Sequence, residues 1–285
     1  MSRPPYDLFG FAFLIYLELG ATGAIMIDTT CALQYLDGCE TILKKVRETQ
    51  LEQIALAAQW CSDAIAERNL VHLFGNGHSR MACEEIWPRY GSFPGFHLMI
   101  ELSMTNHTQV VGSNGQRQAM WIERQEGLGE VILKNYVLRS SDVMMVFSTS
   151  GNNGVVVDIA LGAKARGMKV IAVIAEEYAR MLTSGHSSGK CLHDISDLVI
   201  DNCAFPGDAM VDVPGVDVPI GPGSTIGNTA VVNCLKVLIA ERLAALGKPP
   251  LALAGAWKMG QEASAMRFEA AYDDHRDRMK ILFGA

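Results

Sequence analysis

The sequence has no clustered basic run. Its 24 lysines and arginines are outweighed by 31 acidic residues, giving a formal charge of -7. A nucleic-acid footprint needs Lys and Arg gathered on one face, so that class of partner is excluded at the outset. An acidic chain can still bind phosphate, because a few local backbone donors suffice. No two of the seven cysteines (31, 39, 61, 83, 191, 203, 234) are two residues apart, so zinc-ribbon and redox-pair spacings are missing. They read as reduced, mostly buried thiols of a cytoplasmic protein. The histidines show no i, i+4 pair of the kind that builds a helical zinc site, and no metal is expected. The chain also lacks an internal repeat and a low-complexity tract. Its longest apolar run, Leu8 to Leu19, contains Glu18 and is too short for a confident bilayer span, so no membrane partner is expected. Residues 1–25 read as an extension before a start at Met26.

With 49% apolar and 19% charged residues in 285, the chain can bury one substantial core. Thr29 to Arg68 is patterned as helix, with Leu51, Ile54, Ala55, Ala58, Cys61 and Ile65 on one face. Leu70 to Phe74 is a short apolar run ending at Gly75. A helix is predicted over Arg80 to Tyr90, a strand over Gly95 to Leu102, and one helix over Trp121 to Leu138. Asp142 to Phe147 has the continuous apolar character of a strand buried on both faces. A turn follows, then a helix through Val156, Ile159, Ala160 and Ala163 that stops at Gly167. Met168 to Ala175 and Leu198 to Ile200 are further strands. Strand, helix and strand within about thirty residues form a βαβ unit and imply a parallel sheet. Phe205 to Gly223 reads as a long loop. A strong helix with Ser224 as N-cap covers Thr225 to Leu246, and a last one runs from Gln261 to about Leu282. The domain plan is therefore an extension over 1–25, a core over 26–246 and a helical tail over 247–285.

Chemistry concentrates in two turns. Ser148-Thr149-Ser150-Gly151-Asn152-Asn153 lies between a buried strand and a helix, where unpaired amides and the helix dipole favour an anion. Gly151 lets the backbone come close or take a positive φ. An ordinary capped turn would look the same, but Gly75-Asn76-Gly77-His78-Ser79 repeats the arrangement after the first strand. That second turn has neither the third glycine of a dinucleotide fingerprint nor the lysine of a P-loop. Two such turns converge at one edge of a parallel sheet, which is where ligands bind in open α/β folds.

The two turns, with the helix Ala160-Leu161-Gly162-Ala163-Lys164-Ala165-Arg166-Gly167, resemble the SIS (sugar isomerase) domain family. Glu84-Glu85, Glu123-Arg124-Gln125-Glu126-Gly127, Ser188-Gly189-Lys190-x-Leu192, Asp201-Asn202 and Gly207-Asp208-Ala209 look most like its bacterial phosphosugar isomerase branch. The resemblance spans roughly Met26 to Leu246. It implies a three-layer, flavodoxin-like α/β sandwich with a five-stranded parallel sheet, N- and C-terminal helices, and a homodimer or homotetramer. It implies that Ser148, Ser150 and the Asn152 and Asn153 amides hold a phosphate with Ser79 assisting. Asn153 stands where Thr or Ser is usual, which leaves room for a sulfonate. Gly77, Thr149, Gly151, Lys190, Thr225 and Asn228 complete the candidate binding set. The activity implied is aldose–ketose isomerisation of an anionic sugar through an enediol, without cofactor. Glu84 is the expected base, and His78 or His193 the group that assists ring opening. A sugar-phosphate sensor, or a lyase or etherase using the same site, are the alternatives. Several members carry a catalytic Glu or His on the last core helix, where this chain has Thr225, Asn228 and Asn233.

Overall fold

The computed structural model describes residues 28–106, 108 and 110–284. The extension expected over 1–25, and His107, lie outside the described residues. Helices α1 (Thr30–Thr49) and α2 (Leu51–Ala66) come first. Strands β1 (Val71–Gly75), β2 (Phe96–Met99), β3 (Val143–Phe147), β4 (Lys169–Ile174) and β5 (Leu198–Asp201) form one parallel sheet in the order β2-β1-β3-β4-β5. Helix α3 (Met81–Ile86) joins β1 to β2. Helices α4 (Gln116–Ile122) and α5 (Leu128–Leu133) join β2 to β3, and α6 (Gly154–Ala165) joins β3 to β4. Helices α7 (Glu176–Met181) and α8 (Leu192–Ile195) lead into β5. A small antiparallel pair, β6 (Ala209–Val211) and β7 (Ile220–Pro222), precedes α9 (Ser224–Ala245), α10 (Ala256–Met259) and α11 (Gln261–Met279).

The strands are apolar throughout because both faces are covered. Val143, Met145 and Phe147 of β3 pack on the side of α1, α2, α3 and α9, whereas Met144 and Val146 pack on the side of α5 and α6. Successive strand side chains point to opposite faces, so one five-residue strand feeds two cores. This is the three-layer sandwich the sequence implies.

Four local readings need correction. The helix expected over Trp121 to Leu138 is two helices, because Gly127 adopts φ 86° and ends any continuous helix there. The helix after β1 spans only Met81–Ile86, since Pro88 offers no N–H to continue it. The loop Phe205 to Gly223 contains the β6–β7 pair. Ser224 is also not an N-cap but the first helical residue. Asp208 does the capping, its carboxylate accepting from the amides of Gly223 at 3.1 Å and Ser224 at 2.7 Å, and from the Ser224 hydroxyl at 2.9 Å.

Helix α9 lies close against the sheet. A Cβ on Gly227 would stand 1.9 Å from the Asn202 carbonyl oxygen. Nearby, Asn202 Nδ2 donates to Asn228 Oδ1 at 2.9 Å. At the end of the sheet where β1 begins, His72 and His97 meet Nδ1 to Nδ1 at 2.9 Å, and His72 Nε2 lies 3.3 Å from the Asp142 carboxylate. Asp142 also accepts the amides of Leu70 and Arg139 at 2.9 and 2.8 Å. Burial pushes His97 down to about 3.

Candidate active site

Strands β1 and β3 are neighbours, with Gly75 level with Phe147, yet the chain leaves them in opposite directions. From β1 it passes to α3 and β2 on one side. From β3 it passes to α6 and β4 on the other. The divergence opens a crevice at the carboxyl ends of the two strands. A cavity of about 300 Å³ occupies it. The turn after β1 supplies Asn76, Gly77, His78 and Ser79 to its wall, and the turn after β3 supplies Ser148, Thr149, Ser150 and Asn153. The turn after β1 relies on close backbone approach. A Cβ on Gly75 would lie 2.8 Å from the Ser79 carbonyl oxygen, and Gly77 has φ 53°.

The anion turn is held from within. The Gly151 amide donates to Ser148 Oγ at 3.0 Å, with Gly151 at φ 64°, so this amide faces inward. Among the described residues the amides of Ser150, Asn152 and Asn153 meet no acceptor. Asn153 is the residue before α6 and brings the positive end of that helix to the cavity wall, where the Val155 amide is already taken by the Glu123 carbonyl. Across the cavity, Ser224 and Thr225 bring the start of α9, and Asp208 and Pro222 come from the β6–β7 pair.

The remaining wall is α4. Gln116, Ala119, Met120 and Glu123 are spaced three, one and three residues apart, so one helical face lines the cavity. Glu123 is the C-cap of α4 and sits where the two turns meet. One carboxylate oxygen accepts from Asn76 Nδ2 at 2.8 Å and the other from Asn153 Nδ2 at 2.9 Å. Its own carbonyl accepts the Val155 amide at 3.1 Å, which ties the end of α4 to the start of α6. Gly154 permits that contact, since a Cβ there would stand 2.8 Å from the Arg124 carbonyl oxygen. Burial raises the Glu123 carboxyl above the usual carboxylate range, against the lowering influence of Arg124 and of the Asn153 hydrogen bond.

Of the expected site residues, His78, Gly77, Ser79, Ser148, Thr149, Ser150, Asn153 and Thr225 line this cavity together. Gly151 is buried beneath the turn, and Asn152 turns its side chain away to the Thr183 carbonyl at 3.0 Å. Asn228 is buried against Asn202 rather than presented to the cavity. Lys190 is exposed on the loop before α8, and His193 stands on α8 with Nε2 3.5 Å from Asp194. Glu84 does not reach the pocket edge either, which corrects the expectation for it. Its half-exposed side chain pairs with Arg80 at 3.0 Å, on a separate groove with Pro88, Arg89 and Tyr90. The helix after β1 simply turns Glu84 outward, while the adjacent Glu85 points to Asn233 of α9 at 2.8 Å. Glu123, Asp208, Asn76, Gln116 and Asn106 are the polar lining residues to which sequence reasoning gave no role. The i, i+3, i+4, i+7 spacing from Gln116 to Glu123 was the available signal. Reading one long helix from Trp121 hid it.

His186, from the loop that carries Lys190, is fixed by a different cluster. Its Nε2 lies 3.1 Å from Asp158 Oδ1 and its Nδ1 2.8 Å from Ser188 Oγ. The Gly185 amide of this loop donates to the Asn152 carbonyl at 2.8 Å, so the loop braces the anion turn from outside. Among the described residues, no group of three or more His, Cys, Asp or Glu side chains could hold a metal ion. No helix among them is long and apolar enough to cross a membrane.

A family model described as the SIS domain matches residues 34–175. A UPF0309 protein of Caldanaerobacter subterraneus is 36% identical over 225 residues, covering 78% of this chain and 89% of the relative. A UPF0309 protein of Streptomyces avermitilis is 32% identical over 231 residues, covering 81% and 90%. Among solved structures, a phosphoheptose isomerase from Francisella tularensis is similar at 16% identity and a TM-score of 0.45, over 74% of this chain and 96% of that one.

Proposed function

Starting from a chain that belongs to the UPF0309 proteins and carries a SIS domain, we propose that it is a cofactor-independent aldose–ketose isomerase acting on an anionic sugar, with Glu123 as the base. The observation that carries this reading is the Glu123 carboxylate. It lies in the cavity beside the anion turn, its proton affinity raised by burial. A base with a raised pKa holds a proton more readily near neutrality, which suits it to move one between adjacent carbons.

In this scheme the Ser148, Thr149 and Ser150 hydroxyls and the free amides at the start of α6 hold the anionic group. Glu123, held by the Asn153 side chain of that turn, then stands beside the bound group, and Gln116 and Asn106 line the same cavity for the sugar's hydroxyls. Glu123 takes the proton from C2 of the open-chain aldose, the C–H electron pair forms the C1=C2 bond, and the carbonyl oxygen O1 takes up a proton to give the enediol. The O2 hydroxyl then gives up its proton as Glu123 returns one to C1, leaving the ketose carbonyl at C2. The Asn76 and Asn153 amides fix the carboxylate in position, so little reorganisation accompanies transfer. His78, on the cavity wall, is placed to exchange a proton with the sugar oxygens during ring opening.

One observation favours a second reading. Both Glu123 oxygens already accept a hydrogen bond, which also suits a carboxylate that merely stiffens a binding pocket. A sugar-phosphate sensor would use the cavity in that way. Solvent-deuterium exchange into aldose phosphates separates the two. The isomerase incorporates deuterium at C2 or yields ketose, and the sensor binds without either. Absence of both over a panel of aldose phosphates that bind would remove the enzymatic reading. The protein is further proposed to act as a homodimer or homotetramer, because Leu33, Leu36 and Leu43 of α1 and Val237 of α9 stand exposed. Light scattering at micromolar concentration tests this, with a monomer as the refuting result.

A further inference from the structure

We infer that the sugar taken by this site carries a protonated amine as well as its anionic group, with Asp208 as the amine's counter-ion. The inference rests on the sugar-isomerase reading and names its substrate class. It starts from the charges in the cavity. The side chains lining it that ordinarily bear negative charge are Glu123 and Asp208, and among the described lining residues there is no lysine or arginine. Nearby cations lie outside the lining, although Arg124 is near enough to lower the Glu123 pKa. Arg80 is held by Glu84 at 3.0 Å, Lys190 is exposed on its loop, and Arg124 follows Glu123 without joining the lining.

A phosphate or sulfonate seated on the anion turn would therefore share a small cavity with two carboxylates and have only neutral donors to hold it. Like charges at such range disfavour binding. A ligand whose other end is an ammonium reverses the sign of that interaction. It brings one positive charge to a wall that has none and leaves the anion turn to do what its donors suit.

Asp208 is the carboxylate built for this. It sits at φ 71°, and three neutral donors fix its orientation: the Gly223 and Ser224 amides on Oδ1 and the Ser224 hydroxyl on Oδ2. A carboxylate offers about four acceptor positions, so Oδ2 keeps one for a ligand. Capping α9 requires only an acceptor, and a neutral Asn or Ser performs it. The full charge, presented to a cavity that also holds an anion site, goes beyond that need. Glu123 is left free for proton transfer, and an ammonium nearby would favour its ionised, basic form.

The test is titration calorimetry on the full chain with matched triples of aldose phosphates: hydroxyl, free amine and N-acetyl at the same carbon. At neutral pH the amine should bind about tenfold or more tightly than both partners, the size expected of one charge-assisted hydrogen bond. The advantage should shrink with added salt and vanish above the amine's own pKa. Asp208→Asn should erase it. Because that change touches the α9 cap, the pH series on the unaltered protein serves as the independent measurement. Equal or tighter binding of the hydroxyl or N-acetyl sugars throughout the triples overturns the inference and leaves the isomerase reading intact. If no member of any triple binds or exchanges a proton, the isomerase reading fails and the inference with it.

Discussion

Glu123→Gln keeps the length of the side chain and removes its ability to take a proton. The carboxylate accepts from Asn76 at 2.8 Å and from Asn153 at 2.9 Å. The Gln amide accepts one of these through its oxygen and leaves the other donor unpaired, at a cost of about 1 kcal/mol. Burying a neutral amide instead of a carboxylate offsets part of that cost, so the variant should fold and melt close to the parent. Loss of a general base lowers turnover by about 100- to 10,000-fold, or roughly 3 to 5 kcal/mol of barrier. Affinity should change far less, because the hydroxyls and free amides that grip the anion lie on the turn after β3. The assay is turnover, or deuterium exchange, on whichever aldose phosphate binds. The pH profile gives a second readout. Only ionised Glu123 is a base, and burial raises its pKa, so activity should rise with pH through a limb above the range of an exposed glutamate. Asn153→Ala removes a donor that favours the ionised form, so it should move the limb to still higher pH. Glu84→Gln, on its outward-facing pair with Arg80, serves as control and should retain turnover within about twofold. Full activity in Glu123→Gln with loss in Glu84→Gln would refute the assignment and restore the carboxylate that motif reading favours.

Ser150→Ala removes a hydroxyl at the anion turn and should weaken binding of an anionic sugar by about 1.5–3 kcal/mol, measured by calorimetry; unchanged affinity in both Ser150→Ala and Ser148→Ala would place the anion elsewhere. Gly227→Ala puts a Cβ 1.9 Å from the Asn202 carbonyl oxygen, so α9 must move off the sheet. The expected loss is about 3 kcal/mol in denaturant unfolding, and an unchanged midpoint would mean that α9 does not pack as described. His97 is held down to about 3, well below its ordinary 6.5. The unfolded chain therefore binds a proton that the folded chain refuses, and His97's contribution to stability falls as pH drops below about 6.5. Unfolding followed between pH 7 and 4 should show this, and His97→Asn should flatten it. An equally steep variant would assign the dependence to other groups.

Much of this protein was settled by local physics. Apolar runs of five or six residues ending at Gly75 and at Ser148 are long enough for buried strands and too short for helices, so the parallel sheet could be read directly. The same two turns, with their glycines and hydroxyls, marked out the proposed anion site, because its donors lie within a few residues of one another. The proposed base was a different matter. Glu84 and Glu123 are both glutamates near family-like motifs, and nothing in residue type or spacing says which one faces the cavity. That depended on whether the chain runs straight through Gly127 and on how near α4 comes to α6 at Gly154. Breaking the expected helix turned Glu123 inward, while the short helix before Pro88 turned Glu84 outward. Asp208 was hidden for a related reason. Its role depends on a hairpin that brings residue 208 to the start of α9, a contact spanning fifteen residues and more. The sequence by itself determined which elements form and which two turns line the cavity, because both follow from neighbours along the chain. Which carboxylates share that cavity was decided only by the packing of distant segments, since a side chain's burial and proton affinity belong to its surroundings and not to its own stretch of sequence.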